Sequence, residues 1–119
     1  MRDTRHVSSP PVKDGVVVVV KSECPTCQLV VPVLEQLASD IDLMVFTQDD
    51  PTFPAEAQWV VDDTDLLVSW GLNLDAVPTL LRFEDGHEVE RTTGWQRAAW
   101  EGLTGQKGLG LDLPPFKPG

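Results

Sequence analysis

The apolar positions of the chain change period along its length, and the changes mark out elements. Val16 to Val20 is a run of five valines with no polar interruption, the pattern of a strand buried on both faces, as in a parallel sheet. Behind it Val30, Val33, Leu34 and Leu37 fall at i, i+3, i+4 and i+7, one face of a helix running from Cys24 to about Ser39. Ile41 to Phe46 is short, apolar and bounded by polar residues, so it reads as a second strand parallel to the first, completing a right-handed βαβ unit. Thr47 to Ala57, with Pro51 and Pro54, reads as a long loop anchored to the core by Trp59, Val60 and Val61. Asp62 to Asp65 caps a helix that carries Leu66, Leu67 and Trp70 and ends at Gly71. Thr79 to Phe83 and Glu88 to Thr92 flank an Asp85-Gly86 turn and predict an antiparallel hairpin. Its second strand is polar and suits a sheet edge, with Glu88, Glu90 and Arg91 guarding it. A last helix is expected from Trp95 to Leu103, with Trp95, Ala98, Ala99 and Trp100 inward and Gly105 stopping it.

These elements occupy residues 15–105 and predict one α/β domain with a parallel half and a C-terminal antiparallel hairpin. Residues 1–14 read as an N-terminal arm, with at most a poor edge strand around Val12. Residues 106–119 turn rich in Gly and Pro and read as a tail lying along the body through Leu111, Leu113 and Phe116. A length of 119 residues suits a single core. The net charge of −10 argues against nucleic acid as a partner, because phosphate binding needs clustered Lys and Arg. No 18-residue apolar run is present to span a membrane. Five valines are too few for a secretory signal, so a cytoplasmic location is expected; a monomer is expected as well. Paired cysteines there are catalytic or metal-binding more often than structural.

Cys24 and Cys27 are the only cysteines, and the tetrad Cys24-Pro25-Thr26-Cys27 falls in the first turn of the predicted helix. Pro25 fits there because a first-turn N–H has no intrahelical partner. Free N–H groups and the helix dipole favour an anion on Cys24, and the thiolate is the attacking species. Lys21 favours that charge, while Glu23 and the overall acidity oppose it. Exposed carboxylates are screened, so Cys24 is expected to ionise below the free-thiol value of about 8.5. Cys27, one turn on, is placed to resolve a mixed disulfide. Two thiolates would also suit a soft metal such as Zn(II) or Cu(I), but His6 and His87 have no ligand spacing to the tetrad. The aspartates at 49, 50, 62, 63 and 65 lack a calcium-loop spacing. No metal and no cofactor is therefore assigned. His87 reads as a solvated turn residue, and Trp70 and Trp95 as core.

The tetrad, then Ala76-Val77-Pro78-Thr79, then the hairpin and Gly94, in that order, resemble the thioredoxin superfamily over about residues 15–105. Pro32, five residues after Cys27, matches that family's helix proline. The resemblance implies a three-layer α/β/α sandwich and a cis peptide before Pro78. It implies that Pro78 bars metal capture by the dithiol and that Val77 offers its backbone to substrate, with Pro25 and Thr26 also touching it. It implies a thiol–disulfide oxidoreductase acting on protein or small disulfides, recycled by an unidentified reductase or thiol donor. The departures are Glu23 where thioredoxins carry Trp, Val18 where they bury an aspartate, and an apolar residue at 45 or 46 where its lysine partner stands. Those departures leave room for a non-catalytic interaction domain on the same scaffold. Glu84 and Asp85 stand where glutaredoxins carry two glycines, which argues against glutathione-specific chemistry.

Overall fold

The computed structural model describes residues 14–119. The N-terminal arm and the possible strand around Val12 therefore lie outside the described residues, Asp14 excepted. A five-stranded mixed sheet runs β3–β2–β1–β4–β5, built from β1 (Gly15–Val20), β2 (Leu43–Thr47), β3 (Val60–Asp62), β4 (Thr79–Glu84) and β5 (His87–Thr93). β1 pairs with β2 in parallel, Val20 opposite Thr47, and with β4 antiparallel, Val19 opposite Thr79. The valine run is the central strand, and Val17 to Val20 are fully buried.

Alternation along β1 sends Val16, Val18 and Val20 to one core and Val17 and Val19 to the other. The first core holds Cys27 of α1 (Pro25–Leu29), Val30 at the junction, and Val33, Leu34 and Leu37 of α2 (Val31–Asp40), with Trp100 and Leu103 from α4 (Arg97–Thr104). The second holds Val68 and Leu72 of α3 (Leu67–Leu72). Helices thus cover both faces, which makes three layers. β5 is the exposed edge strand, tied to the body where Arg91 donates to Leu72 O at 2.8 Å. Its turn has positive φ at Asp85 and Gly86, and Asp14 accepts from both of their N–H groups.

Several boundaries differ from expectation for identifiable reasons. The helix after the tetrad is interrupted at Val30, and Pro32 lies in the first turn of α2 rather than inside one long helix. β2 starts at Leu43, two residues later than the apolar run. Val60 and Val61 do more than anchor a loop: with Asp62 they form the parallel edge strand β3. α3 continues through Gly71 and ends at Asn73, which takes the left-handed conformation a C-terminal residue needs. Trp70 is not core but 86% exposed. Trp95 and Gln96 precede α4 as strand β6, and Ala98 is exposed while Trp100 is buried.

The tail is the largest departure. Phe116–Lys117 forms β7, antiparallel to β6, and Leu109 is buried in the first core. Arg97 donates to the carbonyls of Leu109, Gly110 and Leu113, and the Trp95 indole N–H donates to Pro114 O at 2.7 Å. Gly110 is required there: a Cβ would stand 3.0 Å from Val33 and from Trp95. Leu111 and Phe116, expected to hold the tail, are instead exposed.

Asp63 is buried and accepts from Val68 N–H, Ser69 N–H and Ser69 Oγ, so one carboxylate satisfies two of the free N–H donors of α3, and Asp65 accepts from the Leu67 N–H. Replacing it by Ala should cost about 2 kcal/mol in urea unfolding; a loss near zero would show that the carboxylate does not hold α3.

Candidate functional site

The site forms where β1 stops. Val20 is the last strand residue, the chain turns through Lys21–Glu23, and Cys24 becomes the N-terminal cap of α1 with extended backbone angles. Pro25 takes the first helical position, which suits its fixed φ and missing N–H. Cys24 Sγ accepts from Cys27 N–H at 3.3 Å, so the first-turn geometry holds the two cysteines together. The S–H of Cys24 points at Val77 O, 3.4 Å away. The two thiols are free rather than joined.

The two sulfurs differ in surroundings. Cys24 is partly exposed, whereas Cys27 is fully buried and its Sγ accepts from Lys21 N–H at 3.4 Å. Burial pushes the Cys27 thiol far above its ordinary pKa, and its hydrogen bond with Cys24 adds to that; the Lys21 N–H works the other way and is outweighed. Cys27 is therefore a neutral thiol at physiological pH in this reduced state.

Opposite the tetrad, the Val77–Pro78 peptide is cis and Pro78 is buried. Its loop is fixed from three directions. Thr79 Oγ1 donates to Ala76 O at 2.6 Å, Gly94 N–H donates to Pro78 O at 2.7 Å, and β4 follows directly. The resulting cleft beside Val77 is lined by Lys21, Gln48, Leu74, Asp75 and Ala76.

The residues singled out in the sequence come together unevenly. Cys24, Cys27 and Val77 meet, Pro25 lies exposed beside them, and Lys21 contributes its backbone to Cys27 and lines the cleft. Glu23 is exposed, and its N–H donates to Asp49. Thr26 is only 2% exposed, and its hydroxyl donates to Pro118 O at 2.6 Å. Among the described residues no group of three or more His, Cys, Asp or Glu is placed to hold a metal ion. Among them, too, no helix is long and apolar enough to cross a membrane.

Asp49 is the residue that sequence reasoning missed. Its carboxylate accepts from Ser22 N–H and Ser22 Oγ, both at 2.8 Å, and from Glu23 N–H at 3.2 Å. It thereby fixes the turn that delivers Cys24. Partial desolvation disfavours the charge, but these hydrogen bonds outweigh it and hold the carboxyl below its ordinary value. The signal lay in the parallel register: Val20 stands opposite Thr47, so residues two further on, Ser22 and Asp49, must be neighbours.

Neither protein-family models nor curated proteins match the chain. Among solved structures, the chain is similar to a thioredoxin of Malassezia sympodialis, described as Mala s 13 and a member of a pan-allergen family. The identity is 20%, 87% of this chain and 83% of that one are covered, and the TM-score is 0.51. At that identity the likeness shows the fold: this chain has a thioredoxin-like α/β fold.

Two measurements check the geometry. Alkylation of the reduced protein should label Cys24 at least about 100-fold faster than Cys27, since a buried neutral thiol is a poor nucleophile; equal labelling by mass spectrometry would contradict the burial. The Ser22 and Glu23 amide shifts should titrate with a midpoint below the ordinary aspartate value of about 3.9, because bonds to a carboxyl of lowered pKa persist above that value and are lost as pH falls through the lowered one. Asp49→Asn should remove that titration, and a midpoint at or above 3.9 would contradict the assignment.

Proposed function

We propose that this chain, a thioredoxin-like fold with a partly exposed and a buried thiol in one helical turn, is a thiol–disulfide oxidoreductase. The observation that carries the reading is the pairing of Cys24 Sγ with both Cys27 N–H and Val77 O, beside an open cleft.

The steps follow from the two environments. The Cys24 thiolate attacks one sulfur of a substrate disulfide; a new S–S bond forms, and the other half leaves as a thiolate that takes up a proton. The Cys27 N–H donates to Cys24 Sγ at 3.3 Å and holds the attacking sulfur in the first turn of α1. Cys27 then gives up its proton and attacks Cys24 Sγ, closing the Cys24–Cys27 disulfide and releasing the second half as a thiol. Two electrons pass from the dithiol to the substrate, and an external thiol donor restores the pair. Run in reverse, the same steps oxidise a dithiol. Burial of Cys27 favours a sequence in which it acts only after Cys24 is already bonded, because the neutral buried thiol does not compete for the first attack.

Val77 supplies a backbone oxygen beside the reacting sulfur, and Pro78 keeps a side chain that cannot ligate a metal next to the dithiol. Lys21 acts through its backbone, which donates to Cys27. The working partners are a disulfide-bearing protein or small molecule and a reductant of the thiol class; the site calls for no cofactor.

Turnover of a disulfide such as that of insulin, with dithiothreitol as reductant, tests the reading. Cys24→Ser should lower the rate by about 100-fold or more, and Cys27→Ser should accumulate a mixed disulfide at Cys24 visible by mass. An intact Cys24→Ser rate, or no turnover by the parent protein of either insulin or a small disulfide such as hydroxyethyl disulfide, would leave a non-catalytic scaffold.

A further inference from the structure

The segment that follows α4 does not simply pack on the body; residues 117–119 lie against the dithiol site. β7 runs beside β6 with its Lys117 against Gly94, and Pro118 and Gly119 continue past it onto Gly94, Val77 and Thr26. The fit is close on both sides. A Cβ on Gly94 would stand 2.9 Å from Gly119 N and 3.0 Å from Lys117 O. A Cβ on Gly119 would stand 2.5 Å from Val77 O. Two glycines are therefore needed for the backbones to approach this far, and Gly94 also has φ +79, which favours glycine. The Thr26 hydroxyl, between the two cysteines, closes the contact on Pro118 O.

Val77 O is also the acceptor that faces Cys24 Sγ at 3.4 Å. An extended polypeptide that lay across Cys24 and paired with the Val77 backbone on the Gly94 side would need the space that residues 117–119 fill. The other side is open: Pro25 is exposed, and the cleft of Gln48, Leu74 and Ala76 leads to Val77. The segment is not loosely placed, because Arg97 grips three carbonyls upstream and Arg97 N–H donates to Pro115 O at 3.0 Å.

We propose that residues Lys117–Gly119 form a fixed wall of the dithiol site that excludes extended polypeptide from the Val77–Gly94 side and selects compact disulfides reaching Cys24 from the open cleft. The inference rests on the thiol–disulfide reading above and narrows its substrate class.

The test is single-turnover oxidation of the reduced protein by two neutral substrates, hydroxyethyl disulfide and a ten-residue peptide carrying a mixed disulfide with mercaptoethanol at its centre. The intact chain should prefer the small disulfide, and deletion of residues 117–119 should raise the peptide-to-small rate ratio by about tenfold. An unchanged ratio in a deletion protein that keeps its circular dichroism overturns the wall while leaving the redox reading in place. Failure of both substrates to oxidise Cys24 in the intact chain overturns the redox reading, and the wall with it. A second measurement needs no deletion. In Cys27→Ser protein trapped at Cys24, amide exchange over residues 116–117 should rise in the peptide adduct and stay low in the mercaptoethanol adduct; equal exchange in the two adducts overturns the proposal.

Discussion

The site depends on one constraint, the burial of β1 on both faces and its pairing on both edges. Val17 to Val20 have no exposed surface, β2 lies along one edge and β4 along the other. Each buried valine side chain contributes roughly 1.5–3 kcal/mol, and a slip of one residue would exchange the valines of the two cores. The register is therefore fixed, and the ends of three strands are fixed with it. Val20, Thr47 and Thr79 come to one level, so the turn carrying Cys24, the loop carrying Asp49 and the loop carrying Val77 meet at that edge of the sheet. Open α/β sheets place their ligand sites at such an edge, beyond the carboxyl ends of parallel strands.

What the fold delivers to that edge is an asymmetric pair of thiols held mainly by backbone. Cys24 Sγ meets one N–H and one carbonyl, and Cys27 Sγ meets one N–H. The Asp49 carboxylate bonds to the turn and not to a sulfur, and so holds the approach to Cys24. The difference between the sulfurs comes chiefly from burial: one faces a cleft and the other the first core. The segment beyond α4 then encloses the pair from the side of Gly94, giving the edge one closed and one open flank.

Much of this was legible in local pattern. The valine run, the helical spacing of Val30 to Leu37 and the Asp85-Gly86 turn each reflect a period or a backbone requirement confined to a few residues. The tetrad and Val77-Pro78 could be paired only through a resemblance, since 49 residues lie between Cys27 and Val77. What escaped was long-range. Trp70 has the spacing of a core residue, yet Val68 and Leu72 turn α3's apolar side inward and leave the indole in solvent. The prolines at 114, 115 and 118 spoke for an irregular tail, but two residues between them suffice for a strand when Trp95 and Gln96 offer a free edge. Arg97 carries no signal in the sequence for its role, since only the folded chain brings three carbonyls within its reach.

The most direct measurement is the equilibrium of Cys24 and Cys27 with redox buffers of known potential, read by the mass change on alkylation. A working dithiol should close reversibly to an intramolecular disulfide with a potential between about −120 and −270 mV, the span of thiol–disulfide oxidoreductases. A pair that never forms that disulfide, or forms one below about −300 mV like a structural bridge, would contradict the account.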